Sequence, residues 1–133
     1  IEVVKGLETS EDTLEQSLAL ARGMDKEVVV CKDSQGFITS RLINLWVTEA
    51  DRILEEGIAT KEDIDKACRL AFNHPMGPFE LSDFSGLDTR LHVSKSLENA
   101  LGERFKPTQV LRKHVGAGWL GRKTGRGFYD YSK

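Results

Sequence analysis

Apolar residues recur at every third or fourth position through most of the chain, and the stretches that break this rhythm divide it into parts. Leu14, Leu18 and Ala21 share a face at i, i+4, i+7, and Thr9-Ser10-Glu11-Asp12 supplies a hydroxyl cap followed by acids suited to the positive end of a helix dipole. Gly23 is the predicted stop. On either side, Ile1-Glu2-Val3-Val4 and Glu27-Val28-Val29-Val30-Cys31 read as short strands. Residues 1 to 32 therefore predict strand, helix, strand, the tail of an α/β unit. Two strands do not make a stable sheet unaided, and the chain opens inside a strand-like run, so further chain is expected upstream of Ile1.

The polar turn Lys32-Asp33-Ser34-Gln35-Gly36 marks the predicted domain boundary, with residues 33–133 forming a helical domain. A long helix is predicted from about Phe37 to Glu56, with a broad apolar stripe of Ile38, Leu42, Leu45, Trp46, Ile53 and Leu54. Thr60-Lys61-Glu62-Asp63 opens another, whose Ile64, Ala67, Cys68 and Ala71 share a face. Pro75 is predicted to end it, because proline lacks an amide hydrogen and pushes His74 out of the α region. Pro78 suits the first turn of a new short helix, and Gly86 closes that one. Val93, Leu97, Ala100 and Leu101 belong to a further helix stopped by Gly102, and Val110, Leu111 and Val115 to a last one started near Pro107. Five glycines between Gly116 and Gly127, then Phe128-Tyr129-Asp130-Tyr131, predict a compact turn closed by aromatic rings. The fold class is mainly α, preceded by a short α/β remnant.

Composition narrows the classes. The 133 residues are 39% hydrophobic and 30% charged, ordinary for a globular domain. A formal charge of -2 offers no basic excess for a nucleic-acid partner, and no apolar run is long enough to cross a bilayer. A cytoplasmic chain, or a mitochondrial matrix one in a eukaryote, is the expectation. Cys31 and Cys68 lack metal or redox spacing and read as buried thiols. Arg112, Lys113, Arg122, Lys123 and Arg126 form a basic cluster read as a solvated face, with an anion site as the alternative.

Two glycine patterns are decoys. Gly116-Ala117-Gly118-Trp119-Leu120-Gly121 matches G-x-G-x-x-G, but that fingerprint works only between a strand and a helix, and here a predicted helix precedes it. Gly121-Arg122-Lys123-Thr124 misses P-loop spacing by one residue and has no strand leading in. His74, His92 and His114 lack a placed partner and read as structural or surface residues. Glu2, an acid on a mainly apolar strand, either faces solvent or works in a site, and its neighbours leave both open.

Five ordered segments together carry a resemblance. They are Ile1-Glu2-Val3-Val4-Lys5; Asp33-Ser34-Gln35-Gly36-Phe37-Ile38 with Arg41; Glu49-Ala50 and Ala59 with Glu62-Asp63-Ile64-Asp65; Pro75-Met76-Gly77-Pro78-Phe79-Glu80-Leu81 with Asp83 and Gly86-Leu87-Asp88; and Gly121-Arg122-Lys123-Thr124-Gly125 with Gly127-Phe128-Tyr129. In this order the chain resembles the C-terminal part of the NAD-dependent L-3-hydroxyacyl-CoA dehydrogenases, 3-hydroxybutyryl-CoA dehydrogenases included.

The resemblance implies a Rossmann domain that binds NAD upstream, with residues 1–32 as its last strands and helix, and a helical domain that completes an acyl-CoA site and forms a homodimer. No cofactor is expected on this chain itself. The implied reaction oxidises a 3-hydroxyacyl-CoA to the 3-oxoacyl-CoA. A histidine takes the hydroxyl proton and a glutamate orients it; Glu2 aligns with that glutamate, and the histidine has no counterpart here. Ser40 stands where the family commonly has a substrate-binding asparagine, beside Thr39, and Gln35 where it has proline. Met76, Pro78 and Phe79 are expected to line the acyl pocket, with a purely structural bend as the alternative. A helical dimerisation module without a ligand, and a related dehydrogenase of sugar acids, are the competing functions.

Overall fold

The computed structural model describes residues 1–132 and is mainly α-helical, with a two-stranded parallel sheet. It divides into two compact units, Ile1–Arg41 and the chain from Leu42 onward.

In the first unit, β1 (Glu2–Lys5) pairs in parallel with β2 (Val29–Lys32), Glu2 opposite Val29 and Lys5 opposite Lys32. The connection is α1 (Glu11–Gly23), capped by the Ser10 hydroxyl, which accepts from the Thr13 amide at 3.1 Å. Lys5 pairs with Glu11. Strand, helix and strand lie where the hydrophobic pattern places them, β2 beginning two residues later than expected. The unit also holds the start of α2 (Thr39–Glu55). This helix begins after Phe37, not at it, because Gly36 and Phe37 both have positive φ, 76° and 46°, which no α-helix continues through.

The second unit holds the rest of α2, then α3 (Lys61–Phe72), α4 (Pro78–Ser85), α5 (Leu87–Leu101) and α6 (Gln109–Gly116). Its apolar core is Ala50, Ile64, Phe79, Leu87, Leu111 and Phe128. The Thr60 cap of α3 and the first-turn position of Pro78 match the pattern. The end of α3 does not: the helix stops at Phe72 because Asn73 adopts a left-handed conformation, before proline acts.

The apolar stripe predicted for α2 holds at Ile53 and Leu54, which pack against the core, and is corrected at its N-terminal end. Ile38 and Leu42 are exposed, while the buried residues of α2 are Asn44, Val47, Thr48, Ala50 and Asp51. A polar seam explains this. Arg90 on α5 makes a bidentate pair with Asp51 at 3.1 and 2.5 Å and also donates to the Ser82 hydroxyl, while the Thr108 hydroxyl donates to Asp51 at 2.6 Å. Two turns earlier on α2, Asn44 donates to the Ser94 hydroxyl. A carboxylate with matched donors can be interior where an unpaired one cannot, and periodicity alone does not identify those donors. Cys31 and Cys68 are half-buried instead of enclosed.

Two further aspartates, each 1% exposed, hold the chain's end in place. Asp65 on α3 accepts from the Phe79 and Glu80 amides, capping α4, and from the Tyr129 hydroxyl at 2.8 Å. Asp83 on α4 accepts from the Phe128 and Tyr129 amides and from the Tyr131 hydroxyl. These approaches leave no room for side chains: a Cβ on Gly77 would overlap Asp65, and one on Gly127 would overlap Asp83 Oδ1. The glycine-rich turn closed by aromatic rings is therefore present, fastened by carboxylates.

Burial, then the Asp65 carboxylate, raise the Tyr129 phenol far above its ordinary value, and burial with Asp83 raises Tyr131 to about 12. A phenol with a raised folded pKa stabilises the fold fully below its unfolded value, near 10, and loses that contribution as pH climbs through the folded value. The only two tyrosines in the chain are these. Absorbance at 295 nm is expected to stay flat through about pH 10.5 in the folded protein, and the urea midpoint to fall above about pH 10. A one-tyrosine step near pH 10 without unfolding would contradict this arrangement.

Candidate active site

The residues proposed for chemistry fall into two groups. Glu2, Thr39 and Ser40 belong to the first unit, and there the fold brings sequence-distant positions together. Glu2 Oε1 accepts from the Thr39 backbone amide at 2.8 Å across 37 residues. Thr39 is the first residue of α2 and Ser40 the second; both are exposed. Glu2 is half-buried on β1. An acid side chain at a helix N-terminus meets an amide without an intrahelical partner and can accept from it. The arrangement can hold a carboxylate in one orientation with a hydroxyl one residue along the same helical turn.

Met76, Pro78 and Phe79 belong to the second unit and behave differently. Phe79 is 0% exposed and packs on Phe128 with ring centroids 4.6 Å apart. Pro78 is likewise fully buried at the first position of α4, and only Met76 keeps partial exposure. Pro78 and Phe79, expected from the resemblance to line the acyl pocket, are enclosed with a scaffold role, because Asp65 draws the N-terminus of α4 into the core. Gln35 precedes the positive-φ pair Gly36-Phe37 in the turn that leads into α2.

The other candidates have local roles. His114 donates from Nδ1 to the Val110 carbonyl at 2.8 Å and lies against Phe128, while His74 meets the edge of Trp46. The basic cluster is in large part engaged with aromatic rings and an acid. Arg122 lies over Phe84 and Tyr131, Arg126 lies 3.8 Å from the Trp119 ring centroid, and Lys123 pairs with Asp88. The glycine run at 116–121 follows α6 instead of leading from a strand into a helix, so its amides do not form a dinucleotide cradle.

Comparison with known proteins bears directly on this arrangement. Residues 36–131 match the model of the 3-hydroxyacyl-CoA dehydrogenase C-terminal domain. The chain belongs to this family. A probable 3-hydroxybutyryl-CoA dehydrogenase of Bacillus subtilis is 46% identical over 134 residues, covering 100% of this chain and 47% of the relative. The mitochondrial hydroxyacyl-coenzyme A dehydrogenase of Sus scrofa is 42% identical over 133 residues, covering 98% and 42%. Among solved structures, (S)-3-hydroxybutyryl-CoA dehydrogenase from Ralstonia eutropha superposes with a TM-score of 0.94 at 41% identity, covering 99% of this chain and 47% of that one. The chain thus spans about half the length of the 3-hydroxyacyl-CoA dehydrogenases it matches.

Sequence reasoning singled out Glu2, Thr39 and Ser40 but missed the amide that joins the first two. One signal was available: α2 has no acid in its first turn and Ile38 precedes it, so its N-terminus lacks the local cap that Ser10, Thr60 and Thr108 give other helices. The scaffold assignment of Phe79 is measurable. Phe79→Ala is expected to destabilise the chain by about 3–5 kcal/mol in urea unfolding, the cost of emptying a core aromatic site. A loss below about 1 kcal/mol would return Phe79 to the list of candidate lining residues.

Proposed function

We propose that this chain is the C-terminal portion of an NAD-dependent enzyme that oxidises (S)-3-hydroxyacyl-CoA to 3-oxoacyl-CoA. In this reading residues 1–32 are the end of the nucleotide-binding domain, and residues 33–133 are the helical domain that contributes to the acyl-CoA site. The observation that carries it is the Glu2 carboxylate held at the N-terminus of α2, next to Ser40, in a chain whose relatives bear 3-hydroxyacyl-CoA dehydrogenase names.

The residues of this chain act by orientation. Glu2 accepts from the imidazole of a histidine outside residues 1–133, keeps its ring aligned and stabilises its protonated form, as a carboxylate does in a hydrolase triad. That histidine takes the proton of the substrate 3-hydroxyl as the C3 hydrogen leaves as hydride. Ser40, and Thr39 beside it, offer hydroxyl donors to the substrate where the family commonly uses an asparagine amide; a hydroxyl has one donor and reaches less far, which favours a different substrate pose. The described residues do not themselves fit NAD, because their glycine-rich run follows a helix. NAD supplies the hydride acceptor and belongs to the upstream domain.

A homodimer through the helical domain completes the proposal. Leu42, Leu70, Phe72 and Phe84 are 59–76% exposed in the second unit, and large apolar side chains in that number favour a covered surface. A cytoplasmic or mitochondrial matrix location fits an enzyme of CoA thioesters.

In the full-length protein, Glu2→Gln is expected to lower kcat for NADH-dependent reduction of acetoacetyl-CoA by about a hundredfold, within the usual span of acid–base contributions. The 133-residue chain alone should give no turnover. Full activity in the variant, or turnover by the isolated chain, would refute the role given to Glu2. Sedimentation of the full-length protein at micromolar concentration should give twice the monomer mass, and a monomer there would remove the dimer.

A further inference from the structure

The first turn of α2 does more than carry Ser40. Every N-terminus has amides without intrahelical partners, and α1, α3 and α6 each use a hydroxyl from the residue just before the helix. Helix α2, the longest at 17 residues, has no acid in its first turn and is preceded by the apolar Ile38. The acceptor on its first amide is Glu2, reaching over from β1. The turn between β2 and α2 makes this meeting possible. Gly36 and Phe37, both at positive φ, reverse the chain after β2, and the Phe37 and Arg41 amides bond back to the Ser34 and Gly36 carbonyls.

We infer that the Thr39 backbone amide is the positioning group for Glu2: it ties Oε1 to the first turn of α2 and leaves Oε2 to accept from the imidazole. This rests on the role given to Glu2 above and deepens it. A glutamate side chain has three rotatable bonds, and a bidentate wobble of its carboxylate would let the histidine ring turn. One oxygen fixed by a backbone donor removes that freedom. The same turn carries Ser40 as its next residue, so the carboxylate that orients the base and the hydroxyl offered to the substrate move as one body. Alignment of the two then depends on the seating of a helix end and not on two independent side-chain rotamers.

The test compares two substitutions at one position in the full-length enzyme. Thr39→Ala removes the hydroxyl and keeps the amide. Thr39→Pro removes both, and proline is well tolerated at the first helical position. Relative to the alanine variant, the proline variant is expected to lose about tenfold or more in kcat, the scale of losing an outer partner of a catalytic ligand, with KM equal within about twofold. Equal kcat in the two folded variants would overturn the inference. If Glu2→Gln is inactive in the same assay, that outcome leaves the dehydrogenase reading standing; if Glu2→Gln is fully active, the reading fails first. A second measurement does not depend on how the proline variant folds. In amide NMR spectra, Glu2→Ala should move the Thr39 amide proton upfield and speed its exchange by about tenfold, as expected for losing a hydrogen bond of ordinary net strength. An unmoved Thr39 amide would also overturn the inference.

Discussion

Two buried carboxylates, Asp65 and Asp83, fix the second unit. Each accepts three hydrogen bonds, and together they tie α3, α4 and the chain's end into one body. Burial pushes the Asp65 carboxyl above its ordinary value, and its three donors oppose that shift. Replacing either acid with an apolar residue would strand backbone amides in the interior, at about 1–3 kcal/mol for each. The glycines follow from the acids: Gly77 and Gly127 are where backbone must come within contact of Asp65 and Asp83. Segments separated by some fifty residues, around Pro78 and around Phe128, are thus halves of a single joint.

The seam between α2 and α5 obeys the same logic with a cation added. Asp51 and Arg90 are almost wholly buried, and their pair is completed by Ser82 and Thr108. Because this polar face of α2 is turned inward, Leu42 and Ile43 are left outside. The inversion has a functional side. A helix whose interior contacts are hydrogen-bonded at defined distances has less freedom to rotate about its axis than one packed on apolar contacts alone. In the first unit the beginning of this same helix receives Glu2.

The site is small and local where the family's full reaction is large. Its parts in this chain are a carboxylate, an amide and a hydroxyl, all near one helix end. In the proposed reading the substrate proton goes to a histidine outside residues 1–133, and the contribution of these groups is orientation.

By itself the sequence determined the element order, the hydroxyl caps of α1 and α3, the placement of Pro78 in the first turn of α4 and, through five ordered segments, the family. Local rules suffice for these, because caps, glycine stops and apolar periodicity act within one or two turns of chain. Tertiary structure alone decided which face of α2 is interior, that Phe79 is enclosed in the core, and that Glu2 meets the Thr39 amide. Each of those depends on a partner 14 to 57 residues away: Asp65 for Phe79, Arg90 and Thr108 for Asp51, Thr39 for Glu2. A one-dimensional pattern records that an acid or an aromatic ring is present. Only the folded chain brings up the donor that makes burial of that acid favourable, and with it the choice of which surfaces are enclosed.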